Sequence, residues 1–351
     1  MGDVIHALPV VTDIVAARPD ARIDWVVEEG FADLPRLHPA VREVIPVAIR
    51  RWRRTLATRA TWSEIRATRA RLREVRYDLA LDLQGLVKSA WIARWTGAPV
   101  AGFDRASARE PLAALAYAKR YPVARDLHAI ERLRSLAGQA LGYRAEGGPR
   151  FGLSAPALAL PWLPAGRFVV LLHATSRPEK QWPAQQWVAL GARLRASGVS
   201  VVLAWGSDAE RRAARQLADA IDGAREPALD AMDAEGAAGN RRTDGAERIV
   251  AGGTAGPRAI VAPRMSLREC ARLLADACGV VGVDTGLTHL SAALDRPTVA
   301  LFAATPAWRF GPYWTPRARS LGADGVWPQA GEVFDTLGAL GALGAPAPAA
   351  G

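Results

Sequence analysis

Apolar residues along this chain follow two alternating spacings, which predict strands followed by helices. In the first half, consecutive apolar residues predict buried strands at 22–27, 44–48 and 79–83. Between these runs, apolar residues recur at three- and four-residue spacing, which is typical of helices with one buried face. Because strands that alternate with helices pair in parallel, we expect the first half to form a doubly wound α/β sheet.

The same alternation begins again near residue 168 and continues through the second half. A helix follows each predicted strand except the last, which we expect to close the sheet. These strands are predicted at 169–172, 199–204, 259–261, 280–283 and 298–302. A second parallel sheet of the same kind is therefore expected.

The chain has 351 residues, half of them hydrophobic, which is enough for two domains. We expect an N-terminal Rossmann-like domain at 1–150, a linker at 151–165 and a C-terminal Rossmann-like domain at 166–330. Two other segments are rich in Gly and Ala and lack apolar periodicity. They predict a disordered insertion at 222–256 and a low-complexity tail at 335–351.

The first predicted helix begins almost at the first residue, and no strand leads into it. A strand normally precedes each helix of an α/β domain, so we expect the first strand to be missing from the recorded chain. Gly2 and Asp3 then form a strand-to-helix turn, and Asp3 places a carboxylate at a helix N-terminus that faces the cleft. The alternative is that Asp3 only caps the helix.

The sequence GVVGVDTGLTHL gives the clearest strand-to-helix transition. An apolar run stops at Asp284, and a helical pattern begins after Thr285 and Gly286. The amides of Thr285, Gly286 and Leu287 and the positive end of the helix dipole would suit a phosphate. The alternative is that Asp284 or Thr285 only caps the helix while His289 packs inside it.

The formal net charge is +10, and most of the excess lies between residues 50 and 76. This stretch has ten arginines against two glutamates, a local net of +8. Trp52 and Trp62 help to give it an apolar side, so it predicts a basic amphipathic helix for an anionic membrane surface, an anionic substrate or nucleic acid. A solvated arginine-rich face is the alternative.

Several classes of protein are excluded by the sequence. No apolar run approaches the roughly 20 residues of a membrane-spanning helix, and the start lacks the basic region of a signal peptide, so we expect a cytoplasmic protein. Cys270 and Cys278 lie too far apart along one predicted helix to form a disulfide. No cluster has zinc-ligand spacing, so neither a structural metal nor a cofactor is expected.

Ten segments occur in the order found in one enzyme family. They include MGDVIHALP, VIPVAIRRWRR, LDLQGLVKSA, HATSRPEKQWP, WGSDAE, MSLRECARLLA and VDTGLTHLSAALDRP. With these segments the chain resembles the lipopolysaccharide heptosyltransferases of glycosyltransferase family 9, and its first half resembles the heptosyltransferase I type. The resemblance covers nearly the whole chain apart from the insertion and the tail. It implies the GT-B fold, in which two Rossmann-like domains face a cleft.

The resemblance further implies an inverting, metal-independent transfer of L-glycero-D-manno-heptose from ADP-heptose to Kdo of Kdo₂-lipid A, in the lipopolysaccharide inner core. Asp3 would be the general base for the acceptor hydroxyl. Lys180 and the helix N-terminus at 285–287 would stabilise the departing ADP. The implied donor-binding residues are Thr175, Ser176, Lys180, Glu210 for the ribose, Met265 for the adenine, Asp284 for the heptose, Thr285, Gly286, Leu287, and His289 near the diphosphate.

The acceptor carries phosphates and carboxylates and sits in the inner leaflet of the inner membrane. Arginines in the first half are therefore expected to bind it, and the helix around Trp52 and Trp62 is expected to rest on the anionic bilayer. The protein would then be peripheral on the cytoplasmic face of that membrane. The expected acceptor-binding arginines are Arg50, Arg51, Arg53, Arg54, Arg105 and Arg109.

Other functions remain open at the level of sequence. A later heptosyltransferase, of type II or III, would share the donor site and add to a heptose acceptor. A UDP-sugar epimerase has the same fold, and its nucleotide preference would distinguish it. The basic charge also fits a nucleic-acid-binding protein, but the chain lacks RNA-binding signatures and aromatic stacking motifs, so nucleic acid is not an expected partner.

Overall fold

A computed structural model of the chain describes residues 1–175, 177–224 and 256–344. The helices within these ranges are α1 (Gly2–Ala17), α2 (Ile49–Trp52), α3 (Arg59–Glu74), α4 (Val87–Ala93), α5 (Ala129–Leu141), α6 (Ala184–Ala196), α7 (Asp208–Gly223), α8 (Leu267–Asp276), α9 (Gly286–Ala293), α10 (Ala307–Phe310) and α11 (Ala330–Ala339). The strands are β1 (Ile23–Glu28), β2 (Val41–Val47), β3 (Ala80–Leu81), β4 (Val100–Phe103), β5 (Lys119–Tyr121), β6 (Phe168–Leu172), β7 (Ser200–Leu203), β8 (Ala259–Val261), β9 (Gly279–Val283), β10 (Thr298–Leu301) and β11 (Ala318–Leu321).

The second half contains a six-stranded parallel sheet in the order β11-β10-β9-β6-β7-β8. Its central strands β6 and β9 are buried throughout, which explains their continuous apolar sequences. β6 comes first in the chain, and the strands that follow it run outward in both directions. The carboxyl ends of β6 and β9 therefore flank the switch point where open α/β sheets bind their ligands.

Helices cover both faces of this sheet. Buried side chains of α6, α7 and α11 pack on one face. Buried side chains of α8 and α9 pack on the other, and their core also includes Val4, Ile5 and Leu8 of α1. One hydrophobic core therefore joins the two halves of the chain through α1. Phe151 and Leu160 of the predicted linker, which has no helix or strand, are buried in the same core.

The strands of the first half form two parallel sheets instead of the single sheet that the sequence predicts. β1 pairs with β2, and β3, β4 and β5 form a separate three-stranded sheet. Among the described residues no strand precedes α1 and no ladder joins β1 to β3. Only Val27 of β1 is buried, in contrast to the central strands of the second half.

Near the end of the chain, the structure differs from the predicted sheet and the predicted tail. The sheet closes at β11, where Ala318 pairs with Thr298, one strand later than predicted. Helix α11 extends into the predicted tail at 335–351, and Leu337 and Ala342 are completely buried. Residues 345–351 lie outside the described residues.

The predicted insertion at 222–256 begins too early. Asp222 and Gly223 belong to α7, and an oxygen of Asp222 accepts a hydrogen bond of 2.9 Å from the amide of Ala259. Residues 225–255, which make up nearly all of the predicted insertion, lie outside the described residues.

Candidate active site

Asp284 directly follows β9, and its carboxylate contacts side chains from three separate segments of the chain. The Lys180 Nζ lies 2.5 Å from Oδ2, and the hydroxyl of Thr305 donates to the same oxygen at 2.7 Å. His289 Nε2 lies 3.1 Å from Oδ1. Asp284 is therefore the centre of a polar cluster, whereas the alternative interpretation made it only a helix cap.

The charge of Asp284 is fixed by these contacts. Burial by itself raises the pKa of the carboxyl, whose side chain is 11% exposed, but hydrogen bonds with His289, Lys180 and Thr305 outweigh burial. The net result is a pKa well below the ordinary value. Asp284 is thus an anion at neutral pH, and it balances the ammonium group of Lys180.

The N-terminus of α9 lies beside this cluster. Thr285 occupies the N-cap position, but its side chain makes no capping hydrogen bond. The amides of the first turn, at Gly286 and Leu287, have no partner within their own helix, as at any helix N-terminus. Together with the helix dipole, this half-buried turn can bind a phosphate group.

Helices α1 and α9 begin side by side. A Cβ added to Gly2 would lie 3.8 Å from the His289 ring, and one added to Gly286 would overlap the Met1 side chain at 2.4 Å. The rings of His6 and His289 are 4.6 Å apart. A larger residue at position 286 would have to displace the Met1 side chain, so glycine favours this approach of the N-terminus of α1 to the phosphate-binding turn.

Asp3 lies in the first turn of α1 and pairs with Arg109, whose Nη1 donates to Oδ2 at 2.7 Å. The Asp3 side chain is 54% exposed, so a second molecule can reach it, whereas that of Asp284 is 11% exposed. Met1 occupies the N-cap position of α1, so Asp3 is not its cap. The structure therefore gives the site two carboxylates in different environments.

The loop after β6 brings Lys180 to the site. Lys180 ends a short 3₁₀ helix, Pro178–Lys180, and its side chain is largely buried. The hydroxyl of Thr175 lies at the carboxyl end of β6, where it accepts a 3.4 Å hydrogen bond from the amide of Arg177. Ser176, also predicted to bind the donor, lies outside the described residues.

The residues predicted to bind adenosine lie after β7 and β8. Glu210 accepts hydrogen bonds from the amides of Gly206 and Ser207 at 2.7 and 3.2 Å, so one of its oxygens caps α7. Met265 is half-buried against the shared core. The indole of Trp205 donates to the carbonyl of Ala262 at 2.6 Å and links the two loops. Contact of Glu210 and Met265 with a nucleotide stays a prediction.

Sequence reasoning missed Thr305 and Trp205. Thr305 follows β10 and contacts Asp284 from 21 residues away, and Trp205 follows β7. Their signal was present in the sequence, because each is a polar or amphipathic residue just after a buried strand.

Arg51 is held by acidic neighbours inside the arginine cluster. It donates to Glu29 and to Glu64, which also accepts a 2.8 Å hydrogen bond from the indole of Trp52. The Trp52 side chain is buried, so of the two tryptophans expected near a membrane only Trp62 is exposed. Arg51 and Trp52 thus attach α2 to α3.

The other arginines of the cluster are exposed. The guanidinium of Arg50 stacks over the ring of Phe31, 5.4 Å from its centroid. Arg53 and Arg54 lie in the turn between α2 and α3. Arg105 is exposed in the loop that leads to Arg109, and Arg109 is the arginine that the structure brings to Asp3.

The described residues contain neither a cluster of metal ligands nor a membrane-spanning helix. Within residues 1–175, 177–224 and 256–344, no group of three or more His, Cys, Asp or Glu side chains could hold a metal ion. In the same part of the chain, no helix is long and apolar enough to cross a membrane.

A parallel sheet with a lysine and a helix N-terminus at its switch point is typical of enzymes that bind a phosphate-bearing substrate. The family model described as glycosyltransferase family 9 (heptosyltransferase) matches residues 65–227 and 236–331. The chain belongs to this family and is a glycosyltransferase.

Relatives and solved structures agree with this assignment. The chain is 44% identical over 326 residues to lipopolysaccharide heptosyltransferase 1 of Pseudomonas aeruginosa, covering 92% of this chain and 81% of the relative. It is 38% identical over 315 residues to the Escherichia coli protein of the same name, covering 89% and 88%. The structure of E. coli heptosyltransferase WaaC with ADP matches with a TM-score of 0.79 at 36% identity, over 97% of each chain.

A second WaaC structure, with ADP-2-deoxy-2-fluoro heptose, matches with a TM-score of 0.75 at 37% identity, over 97% of this chain and 96% of that one. The predicted family resemblance and the predicted GT-B fold class are thereby confirmed.

Proposed function

We propose that the chain transfers L-glycero-D-manno-heptose from ADP-heptose to Kdo of Kdo₂-lipid A during synthesis of the lipopolysaccharide inner core. The names of its relatives, and the ADP and ADP-heptose analogue in the matching structures, support this activity. The observation that carries the mechanism is the arrangement of two ion pairs. Lys180 and Asp284 lie at the N-terminus of α9, and Arg109 and Asp3 lie at the N-terminus of α1, which packs beside it.

Asp3 is the proposed general base. The acceptor hydroxyl is a weak nucleophile at neutral pH, and an accessible carboxylate can take its proton as the oxygen attacks the anomeric carbon. General base catalysis of this kind contributes about 10²- to 10⁴-fold to the rate. Attack from the side opposite ADP inverts the configuration at that carbon.

The second half stabilises the departing ADP. As the bond between the sugar and the phosphate breaks, negative charge grows on the diphosphate. Lys180, the hydroxyls of Thr175 and Thr285, and the free amides at the start of α9 can meet this charge. Because Lys180 and these hydrogen-bond donors can stabilise the charge on the diphosphate, we expect turnover without an added metal ion.

Arg109 is proposed to bind an anionic group of the acceptor. One of its N–H groups already donates to the carboxylate of Asp3, and its other N–H groups can donate to a carboxylate of Kdo. Arg50, Arg53, Arg54 and Arg105 remain exposed for the other anionic groups. Since the acceptor is a lipid, we also propose that the enzyme is peripheral on the cytoplasmic face of the inner membrane.

ADP release from ADP-heptose with Kdo₂-lipid A tests the proposal. We expect turnover in the presence of EDTA and loss of turnover in Asp3→Asn, with ADP-heptose binding retained. Asp20→Asn, which changes an exposed aspartate just beyond α1, should leave the rate unchanged. Turnover only with a heptose-terminated acceptor would reassign the acceptor, and absence of ADP-heptose binding would reject the activity altogether.

A further inference from the structure

Helix α4 and the 3₁₀ helix Pro111–Ala116 pack against each other and expose large apolar side chains. The buried residues between them are small, namely Ala90, Ala113 and Ala114. The amide of Val87 also donates to Glu110 at 2.6 Å, so the two helices begin at the same place. Alanines allow close packing and leave the large residues on the outside.

Four large apolar residues form what we call the apolar ridge: Val87, Trp91, Leu112 and Leu115. Trp91, Leu112 and Leu115 are 64%, 63% and 68% exposed. Val87 and Trp91 are four residues apart and share one face of α4. Leu112 and Leu115 are three residues apart, and this spacing places them in line on a 3₁₀ helix. A surface of this kind marks an interaction site.

The charge around the ridge indicates its partner. Residues 87–120 contain six basic and two acidic residues. Lys88 of α4 and Arg94, which directly follows α4, flank Trp91 at three-residue spacing, and both are exposed. A symmetric dimer through this face would bring one basic rim against another, and such like-charge contacts cost energy. Apolar side chains with a tryptophan and a basic rim instead suit the interface of an anionic bilayer.

The ridge lies next to the acceptor side of the cleft. Arg109, which pairs with Asp3, is followed by Glu110 and Pro111 and then by Leu112. Three residues of chain span at most about 11 Å. If Leu112 inserted into a bilayer, that bilayer would therefore lie close to Asp3, the proposed general base. The sugar of a membrane-embedded acceptor must reach this place.

We propose that the apolar ridge inserts into the headgroup region of an anionic phospholipid leaflet and seats the cleft over its lipid acceptor. This inference rests on the proposed function for its biological purpose, but lipid binding itself can be measured without turnover. The exposed pair Leu56 and Trp62 is the competing surface. There the Trp62 indole donates to the Leu56 carbonyl at 2.8 Å and folds back on its own loop.

The test is cosedimentation of the purified chain with vesicles that contain phosphatidylglycerol, compared with vesicles of phosphatidylcholine alone. We expect stronger binding to the anionic vesicles. Trp91→Ala and the double variant Leu112→Ser/Leu115→Ser should each lower the partition coefficient about tenfold or more. Trp308→Ala, which removes a tryptophan of similar exposure (61%) in the second half, is the matched control and should bind as the unaltered chain does.

Turnover separates this inference from the proposed function. With a deacylated, water-soluble acceptor, the ridge variants should keep the unaltered rate, whereas with acceptor in anionic vesicles their rate should fall. No turnover of either acceptor by the unaltered chain would reject the proposed function and leave the vesicle result standing. Loss of vesicle binding in Trp62→Ala but not in Trp91→Ala would overturn the inference. So would a dimer in sedimentation that Trp91→Ala dissociates.

Discussion

Lys180 Nζ and Asp284 Oδ2 lie 2.5 Å apart although 104 residues separate them in the chain. The contact exists because β6 and β9 are neighbours in the sheet, so the loops after them meet at the same edge. The pair holds a cation beside the start of α9 in a buried setting. This arrangement positions the ammonium group before any diphosphate arrives, which is what preorganised charge stabilisation requires.

Lys180→Ala should lower kcat about 10²- to 10³-fold, because one of the proposed donors to the developing charge on ADP is lost. The rate of ADP release at saturating ADP-heptose measures the change. Lys119→Ala removes an exposed lysine of β5 and should leave the rate unaltered. An unaltered rate in Lys180→Ala would show that the lysine serves only to balance Asp284.

Asp284→Asn should lower the free energy of unfolding at pH 7 by about 2 to 3 kcal/mol, because the largely buried ammonium of Lys180 loses its counter-charge and His289 loses an anionic hydrogen-bond partner. The pKa of Asp284 lies below that of an unfolded aspartate, so its ionisation stabilises the folded state above about pH 4. That contribution is lost as pH falls further.

Urea unfolding of the unaltered chain and of Asp284→Asn at pH 7, 5 and 3.5 measures this contribution. The difference between their free energies of unfolding should be the same at pH 7 and pH 5 and smaller at pH 3.5. Thr305→Val, which removes one neutral donor to the same carboxylate and leaves the charge in place, should show a smaller loss at pH 7. A gap that widens toward low pH would contradict the assigned sign.

The sequence predicts this part of the site well because the signal is local. A buried strand, a polar turn and an apolar helix follow one another at Asp284, and parallel packing brings such turns together. Which arginines form ion pairs was not predictable in this way. Arg51 and Arg53 look alike in the sequence, but only Arg51 lies within reach of Glu29 and Glu64, which a one-dimensional pattern cannot show. Strand β11 was missed because its four residues, Ala-Arg-Ser-Leu, alternate too briefly to be recognised.

Arg51 and its neighbours should therefore differ in effect. Arg53→Ala/Arg54→Ala should raise KM for the acceptor about tenfold and leave KM for ADP-heptose unchanged, because exposed guanidinium groups are lost from the acceptor side. Arg51→Ala breaks contacts with Glu29 and Glu64 and should mainly loosen α2 from α3, which a shift in protease sensitivity between them would reveal. Equal effects of both changes on the two KM values would contradict this division.

His6 should make stability depend on pH. Burial, followed by the nearby charges of His289 and His128, holds the pKa of His6 well below its ordinary value, whereas Asp284 acts in the opposite direction. Below about pH 6.5 the unfolded chain binds a proton that folded His6 does not, so stability falls as pH falls. The slope is at most about 1.4 kcal/mol per pH unit for one histidine.

Unfolding free energies between pH 7.5 and 5.5 measure that slope. His6→Gln should lower the slope by nearly the value for one proton, about 1.4 kcal/mol per pH unit, whatever its effect on stability at pH 7.5. His38→Gln, at a histidine whose pKa burial lowers to a smaller extent, should reduce the slope less. The same slope in His6→Gln and in the unaltered chain would show that His6 takes up its proton in the folded state.

Gly282→Ala tests whether the spacing of β6 and β9 sets the geometry of the site. An added Cβ would lie 2.2 Å from the hydroxyl of Thr288 and 2.9 Å from Cβ of Leu172, an atom fixed to the neighbouring strand. The two strands must therefore move apart, at a cost of about 1 to 3 kcal/mol. Because Asp284 and Lys180 follow these strands, kcat should fall as well. Gly30→Ala, where a Cβ meets nothing within 4 Å, is the matched control and should change stability by less than about 0.5 kcal/mol. Lost stability with a normal kcat in Gly282→Ala would mean that the loops hold the site independently of strand spacing.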